Sequence, residues 1–308
     1  MRTPRPAPGK MHENEVDTDP SLVERLLAAQ FPHWAALPIE PVESAGTEHA
    51  IYRLGDDMAV RLPRLDSAVA KVEKEQHWLP RLGPLLPLAI PVPLAKGRPG
   101  EGFPWHWSVY RWIAGEHATL DQLADPVRAA VTLAEFLTAL QRIDTSGGPL
   151  VVDQRLRGVP LAMRDGFTRR SIASLSDGID TEAATALWDA SLGVSEWNRA
   201  PVWFHGDVLS GNLLFARGDL CAVIDFAGLG VGDPACDLMI AWGLFSGDSR
   251  QAFRDALGVD AAAWARGRGH ALSQAVQFIP YYLDTNPVGV ANARRLLAEV
   301  IADYNANG

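Results

Sequence analysis

Asp207, Asn212 and Asp225 are the residues whose types and spacing point most directly to chemistry. They lie in FHGDVLSGNLLFARGDLCAVIDFAGLGVGDP, the stretch from Phe204 to Pro234, around two apolar runs. Leu213 to Ala216 and Leu220 to Asp225 flank Arg217, Gly218 and Asp219, which have the composition of a tight turn, so an antiparallel hairpin is expected. If Ala216 stands opposite Leu220, Asn212 falls opposite Ile224 and beside Asp225, with about 5–8 Å between neighbouring or diagonal Cβ atoms. Asp207 enters the same open end of the hairpin. Three hard oxygen donors then face one small volume, a set that suits Mg²⁺, which takes one or two protein carboxylates and fills its shell with water and substrate phosphates. A phosphate-bearing substrate follows, and Asp207 is left to accept a hydrogen bond from an attacking hydroxyl. The bland alternative is that SGN and RGD are two ordinary turns. His205 lacks the further ligands that zinc demands and reads as a buried brace. Asp233 and Asp237 are expected to fix the turn after the hairpin, with Asp237 capping a helix.

These residues need a scaffold. PSLVERLLAAQF predicts a short amphipathic helix with Leu22, Leu26 and Ala29 on one face. IEPV, AIYRL and MAVRL read as strands, the last two joined by Gly55, Asp56 and Asp57. A helix is expected from Asp66 to Leu82, capped by Asp66 or Ser67, with Val69, Val72 and Leu79 as its stripe. WHWSVYRWI returns to β character, and LGPLLPLAIPVPLA, the greasiest run of the chain, is broken as a membrane span by Pro84, Pro87, Pro91 and Pro93. Beyond Ala114 the pattern turns helical, with one long helix over 119–143 built on Val127, Val131, Leu137 and Leu140, and further helices over 235–305. Trp242, Trp264, Tyr281 and Tyr282 fall in those helices as core candidates.

A chain of 308 residues has room for a sizeable core, and 47% apolar with 21% charged residues is an ordinary globular composition. A net charge of −9 without a basic block excludes a phosphate-neutralising nucleic-acid binder. Cys221 and Cys236 have neither disulfide nor zinc spacing. The first 20 residues read as a flexible tail and not as a secretion signal; no run reads as a membrane span, so a cytoplasmic protein is expected.

The pattern H-G-D, Asn212 and then I-D-F resembles the catalytic loop and metal-binding Asp of protein-kinase-like folds. With GDPACDL, EHAIYRLGDDMAVRLPR and WSVYRWIAGE added, the chain is similar to the aminoglycoside phosphotransferase family over roughly residues 40–300. The resemblance implies an α+β, bilobal protein-kinase-like fold, with a small antiparallel β lobe (21–113, nucleotide-binding) and a larger mainly helical lobe (114–308, catalytic and substrate-binding). It implies that Asp207 is the catalytic Asp, that Asn212 and Asp225 hold Mg²⁺, and that Glu75 pairs with a strand cation on the nucleotide phosphates. The helical wheel alone leaves Glu73 and Glu75 equivalent. Arg111 to Ile113 would meet the base of ATP or GTP.

Two positions depart from the family pattern. Arg61 stands where a Lys is usual, and a planar guanidinium is not a compact ammonium. Alternation still sets Arg61 and Ala59 opposite Met58, Val60 and Leu62. The loop ESAGTEH offers Gly46 alone as its phosphate-loop glycine, and a simple turn explains it equally well. The implied activity is transfer of a γ-phosphoryl group to a small-molecule hydroxyl. An amino-sugar acceptor is slightly preferred on account of Asp177, Asp180, Glu182 and Asp189, which equally suit a solvated helix face. A macrolide or hydroxylated metabolite remains open as acceptor, as does an inert nucleotide-binding protein of the same fold. The oligomeric state is not legible.

Overall fold

A computed structural model of the chain describes residues 15–42, 48–117, 123–151, 153, 157–175 and 179–307. It divides into two compact units, Met1–Pro84 with Ala89–Ala114, and Leu85–Leu88 with Gly115–Gly308.

The first unit is a five-stranded antiparallel sheet with one helix at each face. Helix α1 (Pro20–Gln30) begins behind Asp19, whose side chain accepts the Leu22 amide at 2.7 Å. Its buried face is Leu22, Val23, Leu26 and Leu27; Ala29, expected inside, is exposed, because the apolar stripe runs through Val23 and Leu27. Strands β1 (Ile39–Pro41), β2 (His49–Leu54) and β3 (Met58–Pro63) follow as the sequence suggests. Helix α2 (Val69–Leu82) is preceded by a 3₁₀ turn over Asp66–Ala68, with no side-chain cap and with Val69 only half-buried. Strand β4 (Pro93–Gly97) was not expected among so many prolines. It lies at the sheet edge in the order β1-β2-β3-β5-β4, where a missing N–H breaks no inner ladder. Strand β5 (Trp107–Arg111) completes the sheet.

Alternation sorts these strands. Tyr52, Leu54, Met58, Val60, Leu62, Trp107 and Val109 join α1 in one apolar cluster. Arg61, Ser108 and Tyr110, one residue out of phase, bond the side chains of α2. Residues 15–18, inside the segment expected to be a loose tail, are tied to the sheet: the Val16 amide donates to the Arg64 carbonyl at 3.0 Å and the Tyr52 hydroxyl to Thr18 at 3.0 Å.

The second unit is mostly helical, with β6 (Glu116–His117), α3 (Pro126–Gln141), α4 (Leu161–Ala173), α5 (Thr181–Leu192), β7 (Val202–Phe204), β8 (Leu213–Ala216), β9 (Asp219–Val223), β10 (Gly230–Gly232), α6 (Ile240–Gly243), α7 (Gly247–Leu257), α8 (Ala261–Tyr281) and α9 (Pro287–Asn307). Strands order as β6-β8-β9 and β10-β7. Helix α3 starts at Pro126 behind an Asp125 cap, later than residue 119, and Val127 is 42% exposed while Ala130, Leu133 and Phe136 are buried. Proline at the first helical position fixes that start. Trp242 and Trp264 are buried, whereas Tyr281, at the end of α8, is exposed. Among the described residues no helix is long and apolar enough to cross a membrane.

Candidate active site

The hairpin that carries the candidate metal ligands turns more tightly than a three-residue loop. Arg217 (φ 54°) and Gly218 (φ 86°) are its two central residues, both left-handed as a two-residue hairpin turn requires. Ala216 therefore pairs with Asp219 and Phe215 with Leu220. A register shift at Cys221 then restores Leu214 to Ala222 and Leu213 to Val223. The Ile224 amide donates to the Asn212 carbonyl at 2.9 Å, so Asn212 stands opposite Ile224 as the sequence predicts, although by another route.

Asp207 lies on the loop between β7 and β8. The Asn212 amide nitrogen donates to its carbonyl at 2.8 Å and to its carboxylate at 3.2 Å, which turns the Asn212 Nδ2 toward Asp207 and makes Oδ1 the atom suited to a cation. Asp225 follows β9 with φ 61°, an uncommon backbone for a residue with a side chain, and its carboxylate accepts the Ala227 amide at 3.4 Å.

His205 is fully buried and links the two segments. Its Nδ1 accepts the Asp207 amide at 3.1 Å, so Nε2 carries the proton and donates to the Ile224 carbonyl at 3.0 Å. Burial holds the imidazole below its usual pKa range and keeps it neutral. The bracing expected of His205 is thus realised through backbone groups on both sides.

Asp237 does not cap a helix. Asp233 takes that part, accepting the Ala235 amide at 3.0 Å and also the Arg266 guanidinium at 2.7 Å. The buried Asp237 carboxylate instead accepts the amides of His205 at 2.8 Å and Gly206 at 2.7 Å. Burial pushes this carboxyl up to about 7, against the lowering effect of the two amide bonds. Gly206 is left-handed (φ 81°), and a Cβ there would stand 2.3 Å from the Gly228 carbonyl oxygen. Only glycine lets the two loops approach so closely.

In the first unit, Arg61 Nη1 donates to both oxygens of Glu75 at 3.0 Å, and its Nη2 lies 3.3 Å from His49 Nδ1. Glu75 is 2% exposed and also accepts the Tyr110 hydroxyl at 2.6 Å. Burial first, and then Glu75, raise the Tyr110 phenol well above its ordinary pKa. Glu73, equivalent on the helical wheel, faces out and meets Lys96 and His106. The Arg111 amide donates to the Val92 carbonyl at 2.9 Å and the Trp112 amide to Asp57 at 2.7 Å; Ile113 is half-buried. Gly46 lies outside the described residues.

Sequence reasoning missed His49, Tyr110 and Arg157. Tyr110 and Arg61 fall on the same face of neighbouring strands, which alternation could have revealed. Arg157 Nη1 donates to the Asp207 carboxylate from fifty positions away, and no local pattern announces it. Among the described residues no three of His, Cys, Asp and Glu converge on one metal. The Asp225 carboxylate and the Asn212 amide oxygen are hard donors of the kind that fits Mg²⁺ completed by water and phosphate.

The family model of the phosphotransferase enzyme family matches residues 39–270. The chain belongs to the phosphotransferase enzyme family. Among solved structures, the GDP complex of wild-type aminoglycoside 2'-phosphotransferase-IIIa superposes with a TM-score of 0.73 at 19% identity, over 93% of this chain and 100% of that one. The streptomycin–ATP ternary complex of APH(2'')-IIa gives 0.61 at 19% identity, over 93% and 99%. Macrolide 2'-phosphotransferase MphH from Brachybacterium faecium gives 0.59 at 21%, over 90% and 98%. A comparison with curated protein sequences found no match. This phosphotransferase family member thus has the kinase-like α+β fold of those enzymes, with an antiparallel β-sheet unit and a helical unit.

Proposed function

We propose that the protein transfers the γ-phosphoryl group of ATP or GTP to a hydroxyl of a small molecule. Asp207 accepts a hydrogen bond from the attacking hydroxyl and orients it. Asn212 and Asp225 hold Mg²⁺, which when bound offsets the negative charge of the phosphates. Arg61, held by Glu75, contacts the nucleotide phosphates, with Gly46 in the loop ahead of it. Since the amides of Arg111 and Trp112 are engaged in the sheet, the base edge is met by Ile113 and by carbonyls of the 111–113 segment. A cytoplasmic location is part of the same proposal, since ATP or GTP would be the donor. The observation that carries the proposal is the pair of hydrogen bonds from the Asn212 amide to Asp207, which orients the candidate hydroxyl-positioning acid and a candidate metal-ligand oxygen together.

The acceptor is left less specified than the amino sugar expected from sequence. Asp180 caps α5, accepting the Ala183 amide at 2.9 Å; Asp189 accepts from Arg169, and Asp177 lies outside the described residues. Asp180 and Asp189 have structural partners of their own, so the aminoglycoside acceptor rests on the solved relatives and stands beside a macrolide or a hydroxylated metabolite. Asp207→Ala should keep nucleotide affinity in calorimetry and lose turnover by several orders of magnitude; unchanged turnover removes the assignment.

One observation favours an inert nucleotide-binding protein as a second reading. The Arg61 guanidinium already serves Glu75 and His49, which leaves fewer donors for phosphate. Binding of Mg·ATP without any release of phosphate, at any acceptor tried, would support it.

A further inference from the structure

Arg157 sits just ahead of α4 and reaches the catalytic loop from outside it. The loop itself, His205 to Asn212, contains neither Lys nor Arg. Arg157 Nη1 donates to the Asp207 carboxylate and, at 2.7 Å, to the Gly206 carbonyl, while its Nε donates to Gln274 of α8 at 3.1 Å. Asn212 occupies the other carboxylate oxygen at 3.2 Å. Both oxygens of Asp207 are therefore engaged, and a carboxylate held by a charged donor on one side and an amide on the other loses its rotation about χ2. The pair is partly open, with side-chain exposures of 19% for Arg157 and 26% for Asp207, so a lone pair of Asp207 stays accessible to a small molecule.

We propose that Arg157, braced by Gln274, is a positioning residue that fixes the Asp207 carboxylate in the orientation needed to receive an acceptor hydroxyl. The inference rests on Asp207 being the acid that orients that hydroxyl. It gives the helical unit a means of setting the attack geometry: a cation supplied by the α4 approach and anchored on α8, in place of one carried within the loop. Proximity effects of this kind are worth large factors in rate, because small misplacements of an orienting group are amplified at the transition state.

The test compares wild type, Arg157→Gln, Arg157→Lys, Gln274→Ala, Asp207→Ala and the double variant Asp207→Ala/Arg157→Gln. Phosphate release from Mg·ATP and Mg·GTP is followed with water as the accepting hydroxyl, beside nucleotide affinity and the unfolding midpoint. Arg157→Gln should lower turnover about 10- to 100-fold with nucleotide affinity within about 2-fold. Arg157→Lys should recover part of that loss, and Gln274→Ala, which removes the brace and keeps the charge, should lose less. In the Asp207→Ala background the Arg157 substitution should change turnover no further, since a residue acting only through Asp207 is silent without it. Wild-type turnover in Arg157→Gln, or the same fold-loss with and without Asp207, overturns the inference while leaving the phosphotransfer proposal intact. Wild-type turnover in Asp207→Ala overturns both.

Discussion

The two units organise charge in different ways. In the sheet unit the key groups meet side chain to side chain on regular elements: Arg61 on β3, Glu75 on α2 and Tyr110 on β5. In the helical unit the Asp207 carboxylate also meets two side chains, Arg157 and Asn212, but the loop that carries it is held through its backbone, by Asp237 on the preceding amides, by His205 between two loops and by the approach of Gly206 to Gly228. Regular elements display their side chains with a fixed period, so a charged clamp there needs only the right residues at the right phase. A loop has no period, so its geometry has to be imposed by buried acceptors and by positions that admit only glycine.

That contrast predicts a graded set of responses. The largest belongs to Gly206→Ala, which forces a side chain onto the Gly228 carbonyl at a left-handed position. It should cost about 3 kcal/mol or more and abolish measurable turnover; denaturant titration and phosphate release would show both, and a stable, active variant would break the backbone half of the contrast. Next comes Glu75→Gln, which strips the buried partner from Arg61. A loss of about 3 kcal/mol is expected, with turnover retained in part and nucleotide binding weakened.

Asp237→Asn should cost about 1–3 kcal/mol, because an amide offers one acceptor where the carboxylate offers two. It also carries a pH signature. With its carboxyl raised from 3.8 to about 7, the folded chain keeps a proton that the unfolded chain has released. Stability from this group is therefore greatest below about pH 4, falls as pH rises toward 7 and is level above it. Chemical denaturation at pH 5 and pH 8 should show wild type changing less favourably between the two pH values than Asp237→Asn does, because the buried histidines His205 and His270 give both proteins the opposite slope and the difference isolates this carboxyl. The smallest effect is expected at Glu73→Gln, the exposed neighbour of Glu75 that pairs with Lys96, at under about 1 kcal/mol with unchanged nucleotide affinity. Equal effects at Glu73 and Glu75 would erase the distinction between a surface pair and a buried one.

The same contrast explains what the amino-acid sequence discloses. Alternation in MAVRLP and the 3.6-residue period of α2 were enough to set Arg61 and Ala59 apart from the core strand face, while the choice of Glu75 over Glu73 needed the resemblance. Hairpin counting placed Asn212 against Ile224 even though the turn and the shift at Cys221 were not foreseen, because the two deviations cancel. Strand β4 escaped notice because edge position, which excuses its prolines, is a property of the assembled sheet. Asp237 reads locally as a helix cap because the amides it actually serves are 31 and 32 residues away in sequence. Arg157 was missed for the same reason, its partner Asp207 being 50 residues distant.

The central claim is that Asn212 and Asp225 share a divalent cation for the phosphates that Asp207 then directs to an acceptor. Calorimetric titration of ATP and of GTP into wild type and Asp225→Ala, each with Mg²⁺ and with a chelator, tests it most directly. The account predicts Mg²⁺-dependent binding in wild type and, in the variant, weaker binding that Mg²⁺ no longer improves. Identical affinity and identical Mg²⁺ dependence in the two proteins would contradict it.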